Sequence, residues 1–161
     1  MCNGDILSAS FFAACYKNKS IRFILNGKSM QPVLCEGDAL IAKPITFCEA
    51  QFGDILAYQN VSTKKITVHR VVKTKRQGNG ATILTAAEAG CRFVCDQPLT
   101  PAEYILTRVI CIERGSRRIH LTGPVNSFKA KFHTFVLVHF HFLMRIRQKL
   151  HSLVGGLFRQ G

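Results

Sequence analysis

Between about residue 21 and residue 121 the chain alternates short apolar runs with turn-forming residues, and this punctuation constrains the fold more than any other feature. The runs are Ile21 to Leu25, Ala39 to Ala42, Asp54 to Tyr58, Ile66 to Val72, Ala81 to Leu84, Ile105 to Ile112 and Arg118 to Leu121. Between them stand Asn26-Gly27, Glu36-Gly37-Asp38, Gly53-Asp54, Gly78-Asn79-Gly80 and Gly115. Many short strands separated by Gly and Asp predict a mainly β domain, built as a coiled antiparallel sheet or partly closed barrel.

The flanks read differently. Ile6, Leu7, Phe11, Ala14 and Cys15 recur at helical spacing, so Asp5 to Tyr16 is expected to be a short helix that Asp5 can cap. Gly123-Pro124 ends the β region, and residues 126–150 read as a helix rich in Phe, Lys and Arg. The expected organisation is an N-terminal helix over 1–20, a β domain over 21–122 and a basic helical segment over 123–161, with no internal repeat. A length of 161 residues suits one domain with an appendage.

Charge is placed unevenly. The net charge is +13, yet every acidic residue lies at or before Glu113 while Lys and Arg continue to Arg159. That excess suits an anionic partner, either a membrane surface or nucleic acid. Lys129, Lys131, Arg145, Arg147 and Lys149 flank Phe132, Phe135, Phe140, Phe142, Leu143 and Met144, a composition for a helix in an anionic bilayer interface or one packed on the sheet. Nucleic acid ranks below the membrane, because no DNA-binding module precedes the β region. The longest apolar stretch, Phe132 to Met144, is too short to span a bilayer and contains three His. Met1 to Cys15 lacks a basic n-region, so no cleavable signal is expected. The expected location is peripheral on a membrane or cytoplasmic. Seven Cys without a C-x-x-C form neither a disulfide framework nor a zinc site and favour a reducing compartment. His139 and His141 lack nearby acids or Cys to complete a ligand set, so neither metal nor cofactor is expected.

Chemistry concentrates in two places. In Asn26-Gly27-Lys28-Ser29-Met30-Gln31-Pro32, Gly27 permits close backbone approach and Pro32 stops the strand, leaving the Ser29 hydroxyl on a rigid corner as a nucleophile requires. In Ile66-Thr67-Val68-His69-Arg70-Val71-Val72, Thr67, His69 and Val71 share one face of a strand and Val68, Arg70 and Val72 the other. An imidazole held there can accept a proton from a serine near neutral pH.

Four ordered blocks, Gly27-Lys28-Ser29-Met30-Gln31-Pro32, Gly37-Asp38, Gly53-Asp54-Ile55 and His69-Arg70-Val71-Val72, resemble the signal peptidase I family and its LexA-like self-cleaving relatives. The resemblance covers about residues 21–121. It implies Ser29 as nucleophile and, as in the Ser–His subgroup, His69 as general base where most bacterial members carry Lys. The nearby Lys28, Lys64 and Lys65 are poorer bases: Lys28 should point away from Ser29, and solvated lysines at a pKa near ~10.4 carry little free amine at neutral pH. Members of the subgroup also carry T-K-G-D and then a second Asp. Here Leu84-Thr85-Ala86-Ala87-Glu88-Ala89 precedes Asp96-Gln97-Pro98, so Ala87 replaces Gly and Glu88 stands where Asp is usual. Glu88 is the first candidate to orient His69 and Asp96 the second; either acid could stabilise an imidazolium. The resemblance further implies an oxyanion donor at the Ser29 N–H, a peptide or preprotein bound as an added strand, and cleavage after small residues. Two other functions stay open: a self-cleaving regulator, with Ala86-Ala87 or Ala89-Gly90 as small-residue sites, and a peptide-binding relative that has lost its acid.

Overall fold

A computed structural model describes residues 3–77, 80–89, 96–121, 131–136 and 139. The punctuated region forms one antiparallel sheet of seven strands: β1 (Ile21–Ile24), β2 (Ala39–Pro44), β3 (Ile55–Asn60), β4 (Ile66–Gln77), β5 (Gly80–Ala86), β6 (Tyr104–Arg114) and β7 (Arg117–His120). The strand order is β1-β2-β6-β3-β4-β5, β7 pairs with the end of β6, and the sheet does not close. The fold is therefore mainly β, an open sheet. Among the described residues it carries helix α1 (Asn3–Tyr16), a 3-10 turn at Phe47–Glu49 and a helical stretch at 131–136.

Alternation along the strands divides the interior in two. Ile55, Ala57 and Val68 face one cluster, where Phe11 of α1 packs with Phe23, Met30, Leu34 and Leu40. Leu56, Tyr58 and Val71 face a second cluster with Ile83, Leu99 and Leu106. Strand β3 supplies both sides, which is why its residues from Ile55 to Gln59 are all buried. Phe11 is fully covered, and burial of such a side chain contributes roughly 1.5–3 kcal/mol.

The two Gly-Asp units have a common physical basis. Gly37 and Gly53 sit at φ of +89° and +91°, where a side chain is strained. Each following carboxylate then pairs with an arginine of β6. Asp38 accepts from Arg114 at 2.7 and 2.8 Å and from the Cys35 N–H at 2.8 Å. Asp54 accepts from Arg108 Nε at 2.9 Å. The first of these braces the loop that follows Ser29, and the second braces the entry to β3.

Helix α1 begins at Asn3, slightly before the expected Asp5. Of the expected helix over 126–150, residues 131–136 are helical, and Phe132, Phe135 and Val136 are exposed. The rest of that segment, except His139, lies outside the described residues, as do Cys2, Cys91 and Cys95. Among the described residues no helix is long and apolar enough to cross a membrane.

Candidate active site

Ser29 stands just beyond β1, past Gly27, whose φ of +128° is a backbone conformation that L side chains rarely adopt. The chain then turns tightly, with Gln31 N–H donating to Lys28 O at 3.1 Å and Leu34 N–H to Met30 O at 2.9 Å. Met30 and Leu34 plug the turn into the first cluster, being 1% and 0% exposed, while Ser29 remains exposed. The Ser29 carbonyl accepts from both the Glu88 and Ala89 N–H groups at 2.8 Å. The corner is thus anchored below by apolar plugs and across the site by the backbone that follows β5.

His69 lies on β4, paired across the ladder with Leu56. Its Nε2 is 3.2 Å from Ser29 Oγ, and its Nδ1 is 2.6 Å from Asp96 Oδ2. A carboxylate offers no proton, so the short contact places the imidazole proton on Nδ1 and leaves the Nε2 lone pair facing the hydroxyl. Asp96 reaches this position because its segment returns along the outer edge of β5. Asp96 N–H donates to Thr85 O at 2.8 Å, and Leu99 N–H to Ile83 O at 2.8 Å.

Two further hydroxyls converge on the same oxygen: Thr85 Oγ1 at 2.6 Å and Tyr58 OH at 3.0 Å. Burial alone would raise the Asp96 carboxyl, but hydrogen bonds from His69, Thr85 and Tyr58, with the charge of His69, hold it below the usual carboxylate range. The Tyr58 phenol is pushed above its ordinary value, chiefly by burial and further by the Asp96 charge, so it stays protonated and able to donate.

Glu88 is placed elsewhere. Its carboxylate pairs with Arg70 Nε, and Arg70 Nη1 donates to Gly53 O at 2.6 Å. Arg70 follows His69 on β4 and therefore points to the opposite face, so an acid that meets Arg70 cannot also meet the imidazole. The structure brings Ser29, His69 and Asp96 together and sets Glu88 behind them. The expectation that Glu88 is the first candidate to meet His69 is corrected: the carboxylate against the imidazole is that of Asp96. Lys28, Lys64 and Lys65 are all exposed.

The sequence reading missed Tyr58. Its signal was present, since Tyr58 pairs with Thr67 and so shares a face with His69 two residues on, but only the β3–β4 register reveals this. Among the described residues no group of three or more His, Cys, Asp or Glu is placed to hold a metal ion. Chemically, the arrangement can deprotonate a serine hydroxyl through an imidazole whose developing charge faces a partly buried carboxylate. Comparison of the chain with protein-family models, curated proteins and solved structures returned no match.

Proposed function

We propose that the chain is a serine endopeptidase of the signal-peptidase type. The observation that carries this reading is the continuous line from Ser29 Oγ to His69 Nε2 at 3.2 Å and from His69 Nδ1 to Asp96 Oδ2 at 2.6 Å. Nothing in the packing of an open sheet requires a serine, a histidine and an aspartate to meet in this order, whereas acyl transfer does.

In the proposed reaction Ser29 Oγ attacks the carbonyl carbon of the scissile peptide while His69 Nε2 takes its proton. Asp96 stabilises the imidazolium without itself taking the proton. The tetrahedral oxyanion is met by the Ser29 backbone N–H, and the imidazolium then protonates the departing amine as the C–N bond breaks. Water, deprotonated by the same imidazole, releases the acyl group and restores Ser29. The substrate is a leader or signal segment of a peptide or preprotein, extended and small near the cut bond.

The ordered Gly27 to Pro32, Gly37-Asp38, Gly53-Asp54 and His69-Arg70 blocks support the signal-peptidase assignment, as does the open antiparallel sheet that carries them. The substitution at Glu88 does not remove the acid, because Asp96 supplies it, and this argues against an impaired peptide-binding relative. Self-cleavage at Ala86-Ala87 is disfavoured because Ala86 is paired within β5 and the Glu88 N–H is committed to Ser29 O. Anionic bilayers are proposed as a partner of residues 126–150, with Phe132 and Phe135 exposed for insertion, giving a peripheral location. Loss of vesicle binding on deletion of residues 126–161 tests that part.

A serine-directed fluorophosphonate and an Ala-X-Ala peptide test the main reading. The unaltered chain is expected to take the label and cut the peptide, and Ser29→Ala to do neither while keeping its far-UV spectrum. Equal labelling or turnover in folded Ser29→Ala protein overturns it.

A further inference from the structure

Tyr58 lies in the second cluster beside Leu56, Val71 and Ile83, surroundings in which Phe would serve packing equally well. A hydroxyl buried there is costly unless it is bonded. Its oxygen lies 3.0 Å from Asp96 Oδ2, 3.1 Å from Thr85 Oγ1 and 3.4 Å from His69 Nδ1. Tyr58 and Thr85 each own a single hydroxyl proton, and Asp96 Oδ2 is the one charged acceptor that both reach. With both protons directed there, the contact between the two hydroxyl oxygens is an approach and no longer a bond. The phenol then has no proton to give to His69 Nδ1, which must keep its own.

Resting on the serine-peptidase reading, we propose that Tyr58 is a positioning residue of the proton relay. With Thr85, it fixes Asp96 Oδ2 against His69 Nδ1, and this sets the imidazole tautomer that turns Nε2 toward Ser29. The ring itself is held in place, standing edge-on to Tyr104 at 5.8 Å between centroids and edge-on to His69 at 6.4 Å. The aspartate therefore does not depend on its own loop for its orientation. Donors from β3 and β5 hold it from two sides, and the imidazole on β4 meets it from the third.

A consequence separates this role from packing. Each donor on Oδ2 draws carboxylate charge away from Nδ1–H, so removing one strengthens the remaining bond to an imidazolium while loosening its geometry. Among the described residues Tyr58 from β3 is a titratable group that meets both His69 and Asp96, and Tyr104 from β6 stands against its ring.

The test is Tyr58→Phe in the full chain, read by kcat and KM on the Ala-X-Ala peptide and by NMR titration of the His69 imidazole. Turnover is expected to fall about tenfold with KM unchanged, the loss of one hydrogen bond to a charged acceptor. The imidazole midpoint is expected to move to higher pH. A folded Tyr58→Phe protein with the parent's midpoint and kcat overturns the proposal. Thr85→Val, which deletes the other donor, is predicted to move the midpoint the same way, and it decides the matter if Tyr58→Phe does not fold. The titration needs no turnover. A chain that cuts no peptide defeats the peptidase reading, and the imidazole midpoint still decides whether Tyr58 governs the His69–Asp96 pair.

Discussion

Strand β4 carries two basic side chains in succession, and each has its own carboxylate. On one face Arg70 and Glu88 are 5% and 3% exposed, closed off from solvent and tied to Gly53 O. On the other, His69 and Asp96 are 11% and 29% exposed, and the imidazole reaches an exposed serine. The first pair joins a permanent cation to an acid in a dry site, which suits a strut. The second joins an imidazole, which can take up and return a proton, to an acid beside a surface that a substrate can reach, which suits proton transfer. Two carboxylates near one strand thus meet different side chains because His69 and Arg70 face opposite ways. The pairs are also linked mechanically, because the backbone of Glu88 and Ala89 holds the Ser29 carbonyl.

The largest expected effect breaks the second pair. Asp96→Asn keeps the shape but offers the imidazole a neutral partner that favours the wrong tautomer, and turnover is expected to fall about 10⁴-fold, with a loss of stability confined to the carboxylate's own contribution. Glu88→Gln is expected to do the reverse, lowering stability first and activity only as far as Ser29 moves. Crossed outcomes in steady-state kinetics and thermal melts, with Glu88→Gln inactive but stable and Asp96→Asn active, would exchange the roles of the two acids.

Next in size is the strut. Arg70→Met leaves Glu88 buried without its cation, and Glu88 Oε2 already has no hydrogen-bond partner. Breaking one side of such a pair costs roughly 3–5 kcal/mol, equivalent to a fall in Tm of roughly 6–20 °C for a chain of this size. Replacing both groups, Arg70→Met with Glu88→Leu, is expected to recover most of that loss in calorimetry, since no unpaired charge remains. A double variant as unstable as the single one would show that the pair's charges, more than its packing, hold the loop after β5.

Smaller still is the acid limb of stability. Burial opposes ionisation of Asp96, but bonds from His69, Thr85 and Tyr58 prevail. Asp38 is held below the usual range chiefly by the Arg114 hydrogen bond. A carboxyl depressed on folding stabilises the native state above its unfolded pKa, near ~3.9, and that contribution disappears as pH falls through the folded value. Chemical denaturation from pH 6 down to pH 2 should therefore show stability falling below about pH 4. The slope should be flatter in Asp38→Asn and in Asp96→Asn. An unchanged slope in both variants would mean that neither carboxylate is depressed by folding.

The comparison also locates what the sequence could disclose. All seven strands were legible, because Gly37 and Gly53 occupy positive-φ corners and the Asp after each finds an arginine of β6, so punctuation and pairing share one cause. Ser29 and His69 were legible because each lies inside a stretch whose local geometry is set by its neighbours. The choice between Glu88 and Asp96 was not. It depends on the segment that begins at Asp96 pairing along β5 and on Arg70 claiming Glu88 from the opposite face, both long-range facts. Tyr58 was hidden for the same reason, since an apolar strand residue becomes a hydrogen-bond donor to Asp96 only once β3, β4 and β5 are in register.

The smallest expected effects belong to the lysines, and they sharpen the comparison by asking whether any other base competes with His69. Lys28 adjoins the nucleophile in sequence, yet the tight turn after Gly27 leaves it exposed while Ser29 Oγ meets the imidazole. Lys64 lies in the turn before β4 at a φ of +59°, its ammonium 6.0 Å from the Phe12 ring centroid and its carbonyl accepting from Gln59 Nε2 at 3.1 Å. Its role is local to α1 and the β3–β4 turn. Lys65 is exposed beside it. Alanine at each position should change turnover by less than about threefold and stability by about 0.5 kcal/mol or less, the usual range for surface sites without buried partners. At Lys64 the positive φ is as awkward for Ala as for Lys, so the substitution adds no backbone strain, and the small loss of the Phe12 contact should appear in the melt and not in kcat. A wet lysine acting as base would instead give a rate that climbs only in alkaline solution and collapses in one of these variants, because an ammonium must lose its proton before it can take one from Ser29. With His69 as base, all three alanine variants keep the parent's pH profile.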